Sequence, residues 1–209
     1  MKDLVLVGGG GHCKSVIVAA ESAGKHVLGI LDKSTELGKD VLPGYKVIGC
    51  DEDIYKYIDV AEFVNTIGFI SNLPLRLRIS DRITKARGWL ATIIAATASV
   101  SKYSNIEEGT VVLHKVTINA GVKIGKNCII NTAANIEHDV AIGEQTHIST
   151  GVMINGDCKI GSRVFVGSGA VIANGIHVCD DVIIGCGSVI IRDITRPGTY
   201  VGNPAHNIK

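Results

Sequence analysis

His138 stands between two acids, Glu137 and Asp139. Imidazole has an ordinary pKa of about 6.5, so it takes up and releases a proton near neutrality. A neighbouring carboxylate, Asp139 or Glu137, can fix its tautomer and raise its basicity, as the acid of a catalytic triad does. A second histidine, His147, follows a short way along the chain. Near the start of the chain, Gly8-Gly9-Gly10-Gly11-His12 follows the apolar run Leu4-Val5-Leu6-Val7. A strand, a glycine turn and a helix start form an anion site, because unpaired N–H groups and the helix dipole favour phosphate. Asp32 ends the next apolar run, Val27 to Leu31, where an acid is placed to meet ribose hydroxyls. A nicotinamide site fits less well. Cys13 stands where the dinucleotide fingerprint wants Gly or Ala, and the β-α-β series looks too short for two mononucleotide halves.

A repeat positions the two histidines. Every sixth residue from Val100 to Ile190 is valine or isoleucine, and no insertion breaks the phase. That rhythm predicts a hexapeptide parallel β-helix, each hexad a short strand and a bend, three hexads closing one triangular coil. Strands in successive coils then lie ~4.8 Å apart, and the aliphatics stack inside the prism. The position four residues after each aliphatic, from Ser104, Thr110 and Val116 to Ser188, is small or β-branched, as a narrow interior requires. Gly125, Gly143, Gly161, Gly167 and Gly185 directly follow an aliphatic, where the chain is expected to bend without a Cβ penalty. A β-sandwich with accidental periodicity is rejected on the length of the unbroken phase. One coil being three hexads, His138 stacks on Ala120 (138 − 18) and Gly156 (138 + 18), both small, which leaves an open notch around the ring. His147 lies between two inward residues, Thr146 and Ile148, so alternation points it out of a flat face on which another subunit can pack.

The first ninety-odd residues read as a β-α-β series with a small parallel sheet. Strands are predicted at 4–7, 27–31, 61–66 and 92–95. Helices are predicted through Ser15 to Ala23, from a cap at Asp51 through Tyr57, and from Leu75 to Ala86. The fold class is therefore α/β plus β-solenoid, with a Rossmann-like βαβ domain over 1–96 and a parallel β-helix with a C-terminal tail over 97–209. The chain is 46% hydrophobic but only 4% aromatic, which suits a solenoid filled by aliphatics. A net charge of +1 gives no bulk electrostatic reason to expect a nucleic-acid or membrane partner. Arg76, Arg78, Arg82, Lys85 and Arg87 are expected to form the solvated face of a helix. No apolar run reaches ~18 residues and no signal peptide precedes the first strand, so a cytoplasmic protein is expected. The six cysteines form no CxxC pair and read as reduced thiols.

In order and combination, several motifs resemble one family. They are Val7 to His12, Leu31-Asp32, Thr66-Ile67-Gly68, Asn131-Thr132, Ile136-Glu137-His138-Asp139, His147-Ile148-Ser149 and the tail Gly202-Asn203-Pro204-Ala205. Over essentially its whole length the chain resembles the PglD/NeuD-type bacterial sugar acetyltransferases. The resemblance implies a left-handed β-helix, a homotrimer, acetyl-CoA in the cleft between neighbouring solenoids, and a nucleotide-linked sugar on the N-terminal domain. It implies His138 as general base with Asp139 as its supporting carboxylate, His147 contacting acetyl-CoA across the subunit junction, and Asn131 lining the site. CoA contacts carry over to Ser168 and Cys186, chiefly through the backbone; Cys186 occupies a position usually given to glycine and is assigned no nucleophilic role. The Gly156 N–H is a candidate oxyanion donor, worth roughly 3 kcal/mol if correctly aimed. Gly10, Gly11 and His12 match a diphosphate-contacting turn. Asp32 matches a residue near the ribose or base, and Lys33 replaces an acidic neighbour seen in some relatives. Gly68 would permit close approach of the sugar nucleotide.

The expected activity is acetyl-CoA-dependent N-acetylation of a nucleotide-linked amino sugar of the UDP-4-amino-4,6-dideoxyhexose type. The alternative is O-acetylation of a sugar hydroxyl, as on sialic acid. A solenoid metalloenzyme would need converging histidines. His114 and His138 are four hexads apart and so on different faces, and His147 is on a third, so no metal is expected. A non-catalytic scaffold would leave the notch at His138 and the Gly-Asn-Pro-Ala tail unexplained.

Overall fold

The computed structural model describes residues 2–70 and 73–209, and the chain divides into two units, Met1–Ile94 and Ala95–Lys209. In the first, the most apolar run makes the middle of the sheet. Strand β1 (Asp3–Val7) lies between β2 (Val27–Leu31) and β5 (Ala61–Asn65), and its residues Leu4 to Val7 are fully buried. β3 (Asp40–Leu42) and β4 (Tyr45–Gly49) extend the sheet in the order β3-β4-β2-β1-β5, all parallel except the β3–β4 hairpin. Helix α1 (Gly11–Ser22) buries Cys13, Val16, Ile17, Ala19 and Ala20, an apolar face at helical spacing. Helix α2 (Leu73–Lys85) buries Arg76, Ile79, Ser80 and Ile83 on one face and packs against β5.

Four details depart from the sequence reading. The hairpin over 40–49 is additional, its strands too short and too weakly alternating to register as a pattern. Residues 93–94 do not join this sheet; Leu90 instead makes a single bridge to Phe63 at its edge. Asp51 is the first residue of a 3-10 helix (Asp51–Lys56) and does not cap it. The cap is Cys50, whose N–H donates to the Asp53 carboxylate at 2.9 Å. Lys56 hydrogen-bonds that carboxylate and, with the cap, holds it down to about 2. Arg76, finally, is 1% exposed and belongs to no solvated face.

The second unit is the left-handed β-helix. Its three faces stack with an 18-residue register, as in Ile118↔Ile136, Ile124↔Ile142 and Ile130↔Ile148. The hexad aliphatics from Val112 to Ile190 are all buried in one continuous core, with Val100 and Ile106 packed against it at the N-terminal coil. Polar inward residues are satisfied by the coils themselves. Thr146 donates to Gly161 O at 2.8 Å and accepts from Val164 N at 3.1 Å, and the Cys128 and Cys158 thiols donate to the carbonyls of Gly143 and Ala173.

The bends differ from expectation in where the backbone turns. The left-handed residue comes three places after each aliphatic. Every sixth residue from Gly109 to Gly187 has φ between 55° and 77°, including Lys115, Ala133 and Asp139. The glycines directly after an aliphatic serve a different need. A Cβ at Gly143 would lie 2.6 Å from Ser162 N, and one at Gly167 2.6 Å from Cys186 N, so they let successive coils approach. The chain closes in a strand pair, Gly198–Gly202 and Ala205–Asn207, joined through a cis Asn203–Pro204 peptide. Among the described residues, no helix is long and apolar enough to cross a membrane.

Candidate active site

His138 sits on the bend between the first face (Asn135–Ile136) and the second (Ala141–Ile142). The coil pins it from both sides: Asp157 N–H donates to His138 O, and Asp139 N–H to Ala120 O, each at 3.0 Å. Asp139 occupies the left-handed position of its hexad, with φ 61°, a conformation that short polar side chains adopt more readily than most. From there its Oδ2 lies 3.0 Å from His138 Nδ1. A carboxylate accepts, so Nδ1 is the donor, and in the neutral ring Nε2 then keeps its lone pair. Both side chains are more than half exposed, so the pair adds little stability; what it does is orient the ring. The ring lies over Gly156, where a Cβ would come 2.6 Å from both Cε1 and Nε2. Glu137, the other candidate partner, is engaged elsewhere. Its two oxygens accept from Asn119 Nδ2 at 2.7 Å and Asn135 Nδ2 at 2.8 Å.

Asn131, His147, Ser168 and Cys186 gather on the third face and the bend that follows it. His147 Nε2 is 3.3 Å from Asn131 Nδ2, and its ring meets Phe165 edge-on at 5.2 Å between centroids. Ser168 Oγ is 2.9 Å from Ser149 Oγ, and the Cys186 thiol is exposed. Within one chain this group and the His138 bend are on different corners of the prism. Gly156, the candidate oxyanion donor, lies apart from this group and under the His138 ring, where the 18-residue stacking puts it. Contrary to the expectation of three separate faces, His114 follows strand Val111–Val112 of the same sheet as His147. It stands on the corner of Ser168 and Cys186, several coils away, with its Nδ1 2.8 Å from Thr97 Oγ1. Among the described residues, no three His, Cys, Asp or Glu side chains converge as a metal site would need.

The N-terminal unit holds a cleft of about 390 Å³ at the carboxyl ends of β1, β2 and β5. Gly10, Gly11, His12, Asp32, Lys33 and Gly68 all line it, together with Thr66, Ile67 and Leu75. Asp32 shapes one wall: its Oδ2 accepts from Gly9 N–H at 2.8 Å and its Oδ1 from Lys33 N–H at 2.7 Å. A Cβ at Gly9 would sit 2.6 Å from that carboxylate, so the turn closes only on glycine. Helix α1 starts at Gly11, its N-cap Gly10 offers no side-chain cap and its first turn holds no acid, which leaves its positive end to an incoming anion. Cys13 sits beneath the turn as packing; burial pushes its thiol up to about 12, so it is protonated and inert at neutral pH.

The family model of the PglD N-terminal domain matches residues 3–83, and that of the bacterial transferase hexapeptide (six repeats) matches 157–192. No curated protein sequence matches the chain. Among solved structures, the acetyltransferase domain of PglB from Neisseria gonorrhoeae, in complex with acetyl coenzyme A, is 30% identical over 99% of both chains, with a TM-score of 0.92. The chain belongs to the PglD-type sugar acetyltransferase family. PerB from Caulobacter crescentus, in complex with CoA and GDP-perosamine, is 29% identical over 100% of this chain and 98% of its own, also with a TM-score of 0.92. WeeI from Acinetobacter baumannii shares the fold at 20% identity and a TM-score of 0.68, each chain covered in full. As a PglD-type protein the chain is an acyltransferase.

Two features of this PglD-type chain escaped the sequence reading. One is the pair of asparagines, Asn119 and Asn135, that hold Glu137; the 18-residue period puts Asn119 directly under Glu137, so the signal was present. The other is the buried polar group around Arg76 and Asn65. Arg76, Ile79, Ser80 and Ile83 follow the i, i+3, i+4, i+7 spacing of a buried face, and that spacing places Arg76 inside.

Proposed function

We propose that this chain transfers the acetyl group of acetyl-CoA to the amine of a nucleotide-linked amino sugar, of the UDP-4-amino-4,6-dideoxyhexose type, with His138 as general base. The observation that carries the reading is the His138–Asp139 pair, which leaves Nε2 unprotonated over the small residue Gly156. Once the ammonium has released a proton to solvent, the free amine's lone pair attacks the thioester carbonyl carbon and Nε2 takes a proton from that nitrogen. The carbonyl π electrons move to oxygen, where the Gly156 N–H is the candidate donor to the developing oxyanion. The C–S bond then breaks, the electron pair leaves with CoA sulfur, and the proton on Nε2 passes to that thiolate. Asp139 stays ionised throughout and holds the imidazolium in place.

The pantetheine arm lies against Asn131, His147, Ser168 and Cys186. Because these sit on a different corner from His138, one groove takes both sets only where two copies meet, and the working form is a homotrimer. The glycine turn and Gly68 hold the nucleotide diphosphate, with Asp32 and Lys33 near its ribose or base. An amine is favoured over a hydroxyl by the acids on both sides of His138, which attract an ammonium group, and by the amino sugar bound in the Caulobacter neighbour. The test is a screen of UDP-, GDP-, TDP- and CMP-linked sugars, amino and hydroxyl forms, for CoA thiol release. Turnover confined to an amino sugar nucleotide is expected; turnover only with hydroxyl acceptors or with sugars lacking a nucleotide would overturn the reading.

A further inference from the structure

Arg76 is a charged side chain buried in a unit whose other large buried side chains are apolar or aromatic. Its Nη1 donates to two main-chain carbonyls, Asn65 O at 3.0 Å and Ile67 O at 2.7 Å. Asn65, also 1% exposed, closes the network in the other direction. Its Nδ2 donates to Arg76 O at 2.8 Å and Ser80 Oγ at 2.9 Å, and its Oδ1 accepts from Ile67 N–H at 3.1 Å. The segment so gripped is the one leaving β5 and forming the cleft wall at Thr66, Ile67 and Gly68.

The grip has a geometric consequence. In a trans peptide the C=O and the following N–H point in opposite directions. Drawing Asn65 O inward turns Thr66 N–H the other way, and it donates to Val7 O at 2.9 Å. Drawing Ile67 O inward likewise turns Gly68 N–H away from Arg76. Gly68 lines the cleft, nothing lies within 4 Å of where its Cβ would be, and its N–H has no acceptor among the described residues.

We propose that Arg76 is a positioning residue for substrate binding: by pulling the Ile67 carbonyl into the core it aims the Gly68 N–H at the diphosphate of the sugar nucleotide. The proposal rests on the reading of this cleft as the nucleotide site. Guanidinium suits the role because the two hydrogens of Nη1 are fixed in its rigid plane, each aimed at one carbonyl, while the group stays charged; an ammonium on a flexible stem aims its hydrogens less well.

The test compares Arg76→Lys and Arg76→Met with the wild-type enzyme. It measures steady-state constants with the accepted sugar nucleotide and inhibition constants for UDP, GDP and their nucleosides. Loss of an aimed charge-assisted contact should raise the sugar-nucleotide KM and the diphosphate inhibition constants about tenfold in Arg76→Lys and further in Arg76→Met. The kcat, the acetyl-CoA KM and nucleoside inhibition should hold. Arg76→Lys keeps charge and length, so it stays folded even if Arg76→Met does not. Folded variants with wild-type diphosphate inhibition, or with nucleoside and diphosphate weakened by the same factor, would overturn the role of Arg76 while leaving the site assignment standing. Wild-type enzyme that transfers acetyl groups yet is not inhibited by any nucleoside diphosphate would remove the site assignment, and the proposal with it.

Discussion

At the scale of single residues, the proposed chemistry depends on one proton being on the right nitrogen. Asp139 sets it by accepting from Nδ1, and its own left-handed backbone is what carries its carboxylate back to the ring. Asp139→Asn keeps the size but offers an amide that can either donate or accept, so the favoured tautomer is lost. A fall in kcat on the order of 100-fold, with both KM values near wild type, is expected from steady-state kinetics. The thiols make a separate prediction. Burial raises the Cys13 thiol and disfavours its thiolate, Cys128 and Cys158 are buried in the rod, and Cys186 is exposed. Iodoacetamide at neutral pH should therefore label Cys186 in the native protein and reach the three buried thiols only after denaturation, as peptide mass spectrometry would show. The notch at His138 was legible from the sequence because its stack neighbours follow from simple counting. The Arg76 network was not, because a charged residue reads as surface unless its position on the helix face is weighed against its type.

At the scale of elements, the hexad is the unit that decides everything in the second half of the chain. Its first position was readable as core because only aliphatics can fill a dry interior, and the 18-residue registers follow. The conformation of the bend was only partly readable. Gly, Asn or Asp holds ten of the fourteen left-handed positions from Gly109 to Gly187, but Lys115, Ala133, Gln145 and Arg163 hold the rest, so residue type alone does not announce it. Glycine marks the places where neighbouring coils come closest. In the proposed mechanism Gly156 is the instance with a functional consequence, since a methyl group there would occupy the space of the His138 ring. Gly156→Ala should leave the melting temperature near wild type, because the exposed ring can swing aside. It should also cost about 100-fold in kcat through misplacement of the base. A variant with wild-type turnover would show that the ring does not work from this position. The β3–β4 hairpin of the first unit was missed for a different reason: short edge strands carry too few residues for a period to show.

At the scale of the whole molecule, the proposed mechanism divides the site between two corners of the rod, and so couples assembly to catalysis. His147, Phe165 and Ile183 stack in register on the third face, and Ile183 is 46% exposed. Ile183→Glu puts a charge into that face, so sedimentation should show the trimer giving way to monomers that have lost activity but keep their β-sheet spectrum; an active monomer would refute the shared groove. The expectation of a homotrimer comes from resemblance rather than from the physics of the chain, because an exposed isoleucine names no partner. The central claim, that His138 takes the proton, is tested most directly by CoA release from His138→Asn with the preferred sugar nucleotide. The account predicts a loss of about 100- to 10,000-fold in kcat with both substrates still binding at wild-type concentrations. A kcat within a few-fold of wild type would contradict it.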